Sequence, residues 1–442
     1  MQLTPSDAQM YWLAERIRSD QFLLYCFAGD VDADAVRVVV RRRVARMGDL
    51  RYRIRAVPGS LDYPYWEPRE YSDDQVVEHR LADASWAGLQ AALGSLVATS
   101  IDARMSPWRV HVFAGVRGAP RCDGSAAVVV FQVSHAFADG ARATELVRAL
   151  FGAEEPPRSS APEPVPISTM LARLLRFPVQ FARLVAAGRR AAAADRALTD
   201  ATTAGEIPAP AAGRPLVGVN TAPGDDRAVR MVVCPAEVFR GAGVTVTVSA
   251  LTAISIALPR FLELRGEPVP DRLGAEVTIV VDATGASRNN YRNAGVDLFV
   301  AEPDLRTRAA RIAVEIADRR TRLSSRLLAQ RDSAEEFVPA PLLKFGVDRY
   351  SLDEIPDTVT GNTVVSSVNR GPADLEIAGA PVVFSAGFPG LSPVMALTHG
   401  VYGLGETVTI GINSSPRAVP DLDEYEAMLR EAIDEVAAAL CD

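Results

Sequence analysis

The residues best suited to chemistry are a histidine and an aspartate held in one short turn. Residues 134–140 read Ser-His-Ala-Phe-Ala-Asp-Gly, so His135 stands four positions before Asp139, and Gly140 follows. A histidine fixed beside a cleft can take a proton from a bound hydroxyl or thiol. The spacing therefore predicts a general base at His135. Asp139 is expected to lock the turn by pairing with an arginine, and Gly140 to allow a ligand or backbone to approach closely.

The elements on either side of this turn must position it. Residues 126–133 are apolar and β-branched, which is typical of a core strand. After Gly140, apolar residues recur at helical spacing as far as Phe151. The pattern therefore predicts His135 at the exit of a buried strand, immediately before a helix.

The chain as a whole is predicted to form two lobes. Its 442 residues are too many for one ordinary core, and both halves mix helices and strands. The predicted fold class is α/β, with an N-terminal lobe at 1–152, a linker at 153–212 and a C-terminal lobe at 213–442. Further strands are predicted at 21–28, 52–56, 63–67, 108–116, 230–234, 276–282, 363–368, 381–385 and 407–413, and helices at 7–18, 33–47, 86–97, 249–264, 305–328 and 422–440.

The linker begins with five prolines between positions 156 and 166, which break regular structure. An amphipathic helical pattern then runs over 167–184, with several arginines nearby, and Pro178 is expected to interrupt it. A basic amphipathic helix can lie on an anionic membrane surface. The preferred interpretation is a linker helix packed on the protein with solvated arginines.

Composition narrows the class of protein. The net charge of −8 argues against a general nucleic-acid binder, which needs a basic surface. Four scattered cysteines form neither a metal spacing nor a disulfide framework, so a reducing compartment is expected. The N-terminus does not read as a signal peptide, and no apolar stretch reads as a membrane span. We expect a cytoplasmic protein, soluble or at most peripheral at the membrane, with no bound metal or cofactor.

Several catalytic motifs are missing from the sequence. It contains no G-x-S-x-G nucleophile elbow, no P-loop, no H-E-x-x-H and no G-x-G-x-x-G after a strand. The chemistry suggested by the sequence therefore remains that of the His135 turn.

The chain resembles the bacterial wax ester synthase/diacylglycerol acyltransferases, a family of the chloramphenicol-acetyltransferase-like superfamily. The resemblance covers nearly the whole chain, and the order and spacing of its pieces carry it. Besides the His135–Gly140 motif, those pieces are Leu3–Asp7, Tyr65–Glu67, Glu78–Arg80, Ile101–Trp108, Val365–Val368 with Gly371–Pro372, Ile377–Ala380 and Val419–Leu422.

The sequence departs from the family pattern at three places. The family has two histidines before x-x-x-Asp-Gly, and here Ser134 replaces the first of them, while His135 keeps the catalytic one. An asparagine-aspartate pair normally opens the apolar helix of the second lobe, where this chain reads Thr247-Val248-Ser249. The Ser-Asn-Val stretch reads Ser-Ser-Val, with an extra residue before Gly371-Pro372. The chain is therefore a divergent member.

The resemblance implies two chloramphenicol-acetyltransferase-like lobes, each a mixed sheet with flanking helices, with an active-site tunnel between them. It implies acyl transfer from acyl-CoA to an alcohol such as a fatty alcohol or diacylglycerol, with His135 as the base. Asp139 is expected to orient the loop, with Arg288 or Arg292 as its partner. Gly140 and Ser134 are expected to bind substrate, and the candidate oxyanion donors are Thr247, Ser249 and Asn293. The cluster 287–293 could equally contact a CoA phosphate.

The other histidines are expected to have other roles, and two alternative functions stay open. His79 and His111 are expected to support the fold, while His399 could line the cleft. One alternative function is a condensation-type or tailoring enzyme that takes a carrier-protein thioester. Another is a catalytically weakened lipid-binding protein of the same fold. A monomer is expected, since two lobes within one chain can form the site, and a dimer stays open.

Overall fold

The computed structural model describes residues 1–159, 177–241, 243–281 and 287–441. The helices within these ranges are α1 (Pro5–Ala14), α2 (Ala33–Val44), α3 (Trp86–Val97), α4 (Gly140–Phe151), α5 (Phe177–Thr203), α6 (Val246–Leu264), α7 (Leu305–Leu323), α8 (Arg326–Asp332), α9 (Ala340–Arg349) and α10 (Leu422–Cys441). The strands are β1 (Gln21–Ala28), β2 (Tyr52–Arg55), β3 (Tyr65–Pro68), β4 (Val76–His79), β5 (Trp108–Val116), β6 (Ala126–Val133), β7 (Ala228–Pro235), β8 (Gly274–Val280), β9 (Tyr291–Asp297), β10 (Thr363–Asn369), β11 (Glu376–Ile377), β12 (Ala380–Gly387), β13 (Leu397–Leu404) and β14 (Thr407–Ser414).

Two six-stranded sheets organise the two lobes. The first has the strand order β11-β12-β1-β6-β5-β4, and the second has the order β7-β14-β13-β10-β8-β9. Both are mixed, because β4 runs parallel to β5 and β10 runs parallel to β8 and β13, while the other pairs are antiparallel. The expected fold class, α/β with a mixed sheet in each lobe, is therefore confirmed.

The sheets do not divide the chain at the linker as the sequence suggests. Strand β12 comes from the C-terminal part of the chain, yet it pairs antiparallel with β1 in the first sheet. The first lobe thus takes β11 and β12 from within 213–442. The expected boundaries need this correction, because the alternation of a strand reports its burial and not the sheet it joins.

Each lobe has its own apolar core, and a separate apolar cluster fills the junction between the lobes. It combines side chains of β1 and α3 from the first lobe with Val229 and Met231 of β7 and with Phe384 of β12. Helix α3 packs directly against β7. This cluster holds the two sheets in one arrangement, so residues of both lobes can meet at one site.

Helix α6 is the apolar core helix of the second lobe. Its 19 residues are long and apolar enough, by length and composition, to cross a membrane, which the sequence interpretation overlooked. However, 67% of its most apolar 18-residue stretch is buried inside the protein, and the helix packs against α7 and α10. Its apolar side chains therefore form part of the core of the second lobe.

Most strands and helices lie where the sequence predicts them, and the differences have local causes. The helix expected over 305–328 ends at Leu323, and α8 begins after the cap residue Ser325. Strands β4, β9, β11 and β13 were not predicted. The polar start of β9, Tyr-Arg-Asn, lacks the alternation of a half-buried strand. Helix α5 is described from Phe177 onward, so the interruption expected at Pro178 stays a prediction. Residues 167–176 of the expected amphipathic helix lie outside the described residues.

The three histidines outside the motif turn are all held inside the lobes. His79 and His111 lie 2.8 Å apart, between Nε2 of the first and Nδ1 of the second, and His111 also contacts Gln132. His399 is fully buried, with Nδ1 2.9 Å from Thr363 Oγ1 and Nε2 2.9 Å from Tyr425 OH. His399 therefore does not line a cleft, contrary to the alternative that the sequence left open.

Burial of His399 makes the stability of the fold depend on pH. Burial lowers the pKa of His399 to about 3, so the unfolded chain takes up a proton between pH 7 and pH 5 that the folded chain does not. The free energy of unfolding then falls with pH, by about 2 kcal/mol for this residue across that window. We expect His399→Gln to lose less stability than wild type over the window, as measured by urea unfolding at each pH.

Tyr425→Phe is the matched control, because it removes a hydrogen bond to His399 and keeps the histidine. It should be less stable than wild type at both pH values, with an unchanged pH dependence. Burial raises the pKa of Asp20 to about 6, which acts in the opposite sense in all three proteins and cancels in the comparison. An identical loss of stability in wild type and His399→Gln would contradict the assignment.

Candidate active site

His135 lies at the end of a fully buried strand. Every residue of β6 is buried, and the chain turns sharply after Val133 into α4. Ser134 closes the turn: its amide donates to Pro107 O at 2.9 Å, and its carbonyl accepts from the amide of Phe137 at 2.8 Å. Ser134 is 2% exposed, so it shapes the turn and offers no surface to a substrate.

Asp139 is the N-cap of α4 and holds a segment of the second lobe. Its Oδ1 accepts from the amide of Arg142 at 2.9 Å, and its Oδ2 accepts from the amide of Asn290 at 2.9 Å. Its own amide donates to Arg288 O at 3.1 Å. The expected arginine side-chain partner is therefore wrong, because backbone amides take both carboxylate oxygens.

The two arginines proposed as that partner point elsewhere. The guanidinium of Arg288 lies over the rings of Trp66 and Phe137, at 4.7 and 5.0 Å from their centroids. Burial lowers the pKa of Arg288 to about 10. Arg292 lies 4.0 Å from Asp332 on a half-exposed side chain. Arg288 therefore acts through its backbone and a cation–π contact.

A second buried carboxylate holds the same segment from the other side. Asp7 of α1 accepts at Oδ1 from the amide of Arg288 at 3.0 Å and from Asn289 Nδ2 at 3.1 Å. The cap of α1 is Thr4, whose hydroxyl accepts from the amide of Asp7. Asp7 is thereby free to reach the segment that faces His135.

Asn289 links this carboxylate to the imidazole. Its Nδ2 donates to Asp7 and, at 2.8 Å, to the carbonyl of His135, which fixes the orientation of the amide. Its Oδ1 then lies 2.9 Å from His135 Nδ1. An amide oxygen only accepts hydrogen bonds, so Nδ1 must carry the proton. The remaining nitrogen, Nε2, is left with the lone pair that a general base needs.

Burial favours the neutral imidazole at the pH of the cell. It lowers the pKa of His135, while the hydrogen bond with Asn289 and the charge of Asp139 act in the opposite direction and are outweighed. The side chain is half-buried, so its neighbourhood is apolar while a substrate can still reach it. A neutral histidine whose Nε2 carries no hydrogen can accept a proton.

Tyr291 contacts that nitrogen. Its hydroxyl lies 3.3 Å from His135 Nε2, and the two ring centroids are 5.5 Å apart. Burial raises the pKa of Tyr291 to about 12, so the hydroxyl keeps its proton. Because Nδ1 carries the imidazole proton, the tyrosine is the donor and Nε2 the acceptor.

The second lobe also reaches the motif helix through β10. A Cβ atom at Gly140 would meet Val368 Cγ2 at 3.5 Å and Gln21 Oε1 at 3.6 Å, both ordinary contacts. The neighbouring Ser367 is 2.8 Å from the hydroxyl of Thr247 at the start of α6. Thr247 and Gly140 thus lie on either side of β10, beside the motif turn.

Two of the sequence-predicted binding residues lie elsewhere. Ser249 is buried inside α6, where its hydroxyl donates to Phe239 O at 3.1 Å. Asn293 is exposed on β9, and its Nδ2 is 3.4 Å from Glu276 Oε2. Neither shares a hydrogen bond with the groups around His135, so both are poor candidates for an oxyanion donor.

Sequence reasoning missed the roles of Asp7, Asn289 and Tyr291. Asp7 belongs to the opening Leu3–Asp7 stretch, which carried part of the family resemblance. Asn289 and Tyr291 belong to the polar cluster 287–293, from which the sequence suggests an arginine for Asp139, an oxyanion donor at Asn293 or a contact with a CoA phosphate. The signal available was a polar segment before an edge strand, which does not reveal its partner. Among the described residues, no group of three or more His, Cys, Asp or Glu side chains is placed to hold a metal ion.

Comparisons with known proteins identify the family. The model of the wax ester synthase/diacylglycerol acyltransferase catalytic domain matches residues 10–235, and that of the C-terminal domain of the same family matches residues 296–437. A search of curated protein sequences finds no significant match. The two family models together cover most of the chain and include the His135 turn, while residues 236–295, with Asn289 and Tyr291, lie between them.

Solved structures agree on the fold. The wax ester synthase/diacylglycerol acyltransferase from Marinobacter aquaeolei VT8 aligns with a TM-score of 0.64 and 17% identity, over 99% of this chain and 98% of that one. The starter condensation domain of rhizomide synthetase, in complex with C8-CoA and Leu-SNAC, aligns with a TM-score of 0.56 and 12% identity, over 100% and 94% of the chains.

The chain has the fold of these two solved structures, and the His135 site lies where its two lobes meet. The chain belongs to the wax ester synthase/diacylglycerol acyltransferase family. The resemblance noted in the sequence is thereby confirmed, and with it the assignment to acyl transfer in lipid biosynthesis.

The bridge between Asn289 and His135 predicts a positioning role for Asn289. In Asn289→Ala the imidazole loses the partner that fixes its tautomer and ring, and misplacement of a catalytic group costs about 10²-fold in rate. We expect kcat for acyl transfer to fall by about that factor, with little change in KM. The pKa read from the acid limb of kcat/KM should also fall, because the lost hydrogen bond raises the pKa of His135.

Asn293→Ala is the matched control, an asparagine on β9 whose side chain contacts Glu276 and not the imidazole. It should keep wild-type kcat and pH profile. Thermal unfolding of both variants separates loss of positioning from loss of fold. A large fall in kcat for Asn293→Ala, with an unaffected Asn289→Ala, would restore the sequence prediction and contradict this one.

Proposed function

We propose that the protein transfers an acyl group from acyl-CoA to the hydroxyl of an alcohol, with His135 as general base. The observation that carries the proposal is the 2.9 Å contact between Asn289 Oδ1 and His135 Nδ1, which implies a proton on Nδ1 and leaves Nε2 as the acceptor. Family membership supplies acyl transfer, and the geometry adds a base suited to a hydroxyl or thiol proton.

The reaction then needs only this base and two substrates. Nε2 removes the proton of the acceptor hydroxyl as its oxygen attacks the thioester carbonyl carbon. The carbon–oxygen bond forms, and the carbonyl π electrons move to the oxygen, giving a tetrahedral oxyanion. When the intermediate collapses, the carbon–sulfur bond breaks and the CoA thiolate takes the proton from Nε2. The products are an ester and free CoA, and His135 returns to its neutral state.

The support for each substrate differs. A condensation domain of the same fold was solved in complex with C8-CoA, which supports an acyl-CoA donor. The family includes enzymes for wax esters and triacylglycerols, which supports a fatty alcohol or diacylglycerol as acceptor. A cytoplasmic location with peripheral membrane contact, and a monomeric state, stay predictions.

The first experiment measures thiol release from acyl-CoAs of short to long chain length, with and without pooled fatty alcohol and diacylglycerol. Wild type should release CoA in an acceptor-dependent manner. Because general base catalysis contributes about 10²–10⁴-fold, we expect His135→Ala to lose about that factor in rate. Ester product, measured by mass spectrometry, should fall in parallel with thiol release.

His79→Gln is the control for loss of a histidine, since His79 contacts His111 and Phe113 within the first lobe. It should keep acceptor-dependent release. Equal release by wild type and His135→Ala would overturn the base. Thiol release only with an acylated carrier protein would show that the carrier thioester, and not acyl-CoA, is the donor. No thiol release by folded protein with either donor would favour a lipid-binding role.

A further inference from the structure

We propose that the hydroxyl of Tyr291 donates the hydrogen bond that stabilises the oxyanion of the tetrahedral intermediate. The inference rests on the proposed function, whose oxyanion donor was left open by the sequence. It assigns a catalytic role to a residue that the motif analysis did not single out. Preorganised donors of this kind act in a half-buried site, where hydrogen bonds to a developing charge are strong.

Position is the first argument. The oxygen of Tyr291 lies 3.3 Å from Nε2, the atom that takes the proton of the acceptor. The attacking oxygen must hydrogen-bond to that same nitrogen, so the carbonyl carbon forms its new bond within a few ångströms of the tyrosine. Tyr291 is the first residue of β9, directly after the segment held by Asp7 and Asp139, so its backbone is anchored.

The exchange of hydrogen bonds during the reaction is the second argument. Before the acceptor binds, Tyr291 donates to the lone pair of Nε2, and the acceptor hydroxyl takes over that lone pair when it binds. Once Nε2 has taken the acceptor's proton, it has no lone pair and becomes a donor itself. The tyrosine oxygen can then accept from the imidazolium, and its own proton needs a new acceptor. The oxyanion is the acceptor that appears at that moment, so protonation of His135 and stabilisation of the intermediate are coupled.

No proton is transferred by the tyrosine in this scheme. Burial keeps its hydroxyl protonated, and the charge of Asp139 also opposes ionisation, while Arg292 acts in the opposite direction. The acceptor's proton goes to Nε2 and then to the thiolate, and Tyr291 ends the cycle donating to Nε2 again. Its contribution is to turn its O–H bond from Nε2 of His135 towards the oxyanion.

The competing donors from the sequence are engaged in the structure. Ser249 donates to a carbonyl inside α6, and Asn293 lies exposed beside Glu276. The hydroxyl of Thr247 donates to Ser367 Oγ of β10 at 2.8 Å. Among the described side chains, Tyr291 is the one whose hydroxyl contacts Nε2 of His135.

Tyr291→Phe tests the proposal with the ring retained. Loss of one oxyanion donor costs about 10²–10³-fold in kcat, and we expect a fall of that size for acyl transfer. KM for the acyl donor should change little, because the lost bond forms only in the intermediate. Tyr350→Phe is the matched control, a tyrosine that is 60% exposed on the surface, and it should retain wild-type kcat.

A second measurement reports the contact without turnover. The groups facing His135 and Tyr291 are Asp139 of α4, Asp7 of α1 through Asn289, and Arg292 of β9. All of these stay in Tyr291→Phe, so a change in the nitrogen-15 NMR titration of His135 reports the hydroxyl alone. We expect the pKa of His135 to fall in the variant, because the imidazolium loses an acceptor and charge-assisted bonds are the stronger ones.

The outcomes separate the two proposals. A wild-type kcat in Tyr291→Phe would overturn the oxyanion role and leave the proposed function standing, and an activated variant would show that the tyrosine only covers the base. Wild-type protein that transfers no acyl group, with an altered titration in the variant, would overturn the proposed function while the contact between Tyr291 and His135 stands. An unchanged titration would overturn the contact itself.

Discussion

The site depends on two buried carboxylates of the first lobe that hold one backbone segment of the second. Asp7 accepts from the amide of Arg288, and Asp139 accepts from the amide of Asn290, so the residue between them is fixed from both sides. That residue is Asn289, the partner of His135. Burying a carboxylate is costly unless hydrogen bonds satisfy it, and these amides supply them. The base is therefore correctly oriented only while the two lobes are docked in this arrangement.

The choice of an amide between Asp7 and His135 decides the charge of the base. A carboxylate against Nδ1 would favour the imidazolium and raise the pKa of the histidine. The amide oxygen of Asn289 fixes the same tautomer without a full negative charge. Asn289 also separates the carboxylate of Asp7 from the imidazole. Burial then outweighs the opposing contributions, and the pKa of His135 falls below its ordinary value. The arrangement keeps the histidine neutral near pH 7 while its ring is held.

The sequence predicted what periodicity and short motifs report, and missed what depends on long-range pairing. Strand β6, the turn and α4 follow from one apolar run and one helical pattern, and the structure has them at 126–133 and 140–151. Asn289 lies 154 positions from His135, and only the docking of the lobes brings the two together. The expected arginine beside Asp139 is wrong because backbone amides donate to both carboxylate oxygens. The identities of side chains do not reveal such backbone partners. In the same way, β12 reads as a strand without revealing that it pairs with β1.

The departure from the family at Ser134 is best understood through the turn. The residue is 2% exposed, and its hydroxyl lies 3.4 Å from the amide of Ala136, inside the turn. Its backbone is bonded to Pro107 on one side and to Phe137 on the other. The groups that orient and contact the imidazole of His135 are Asn289 and Tyr291, both supplied by the second lobe. The hydrogen bonds that prepare His135 for proton transfer therefore do not pass through the side chain at position 134. Its replacement by serine is compatible with an intact base.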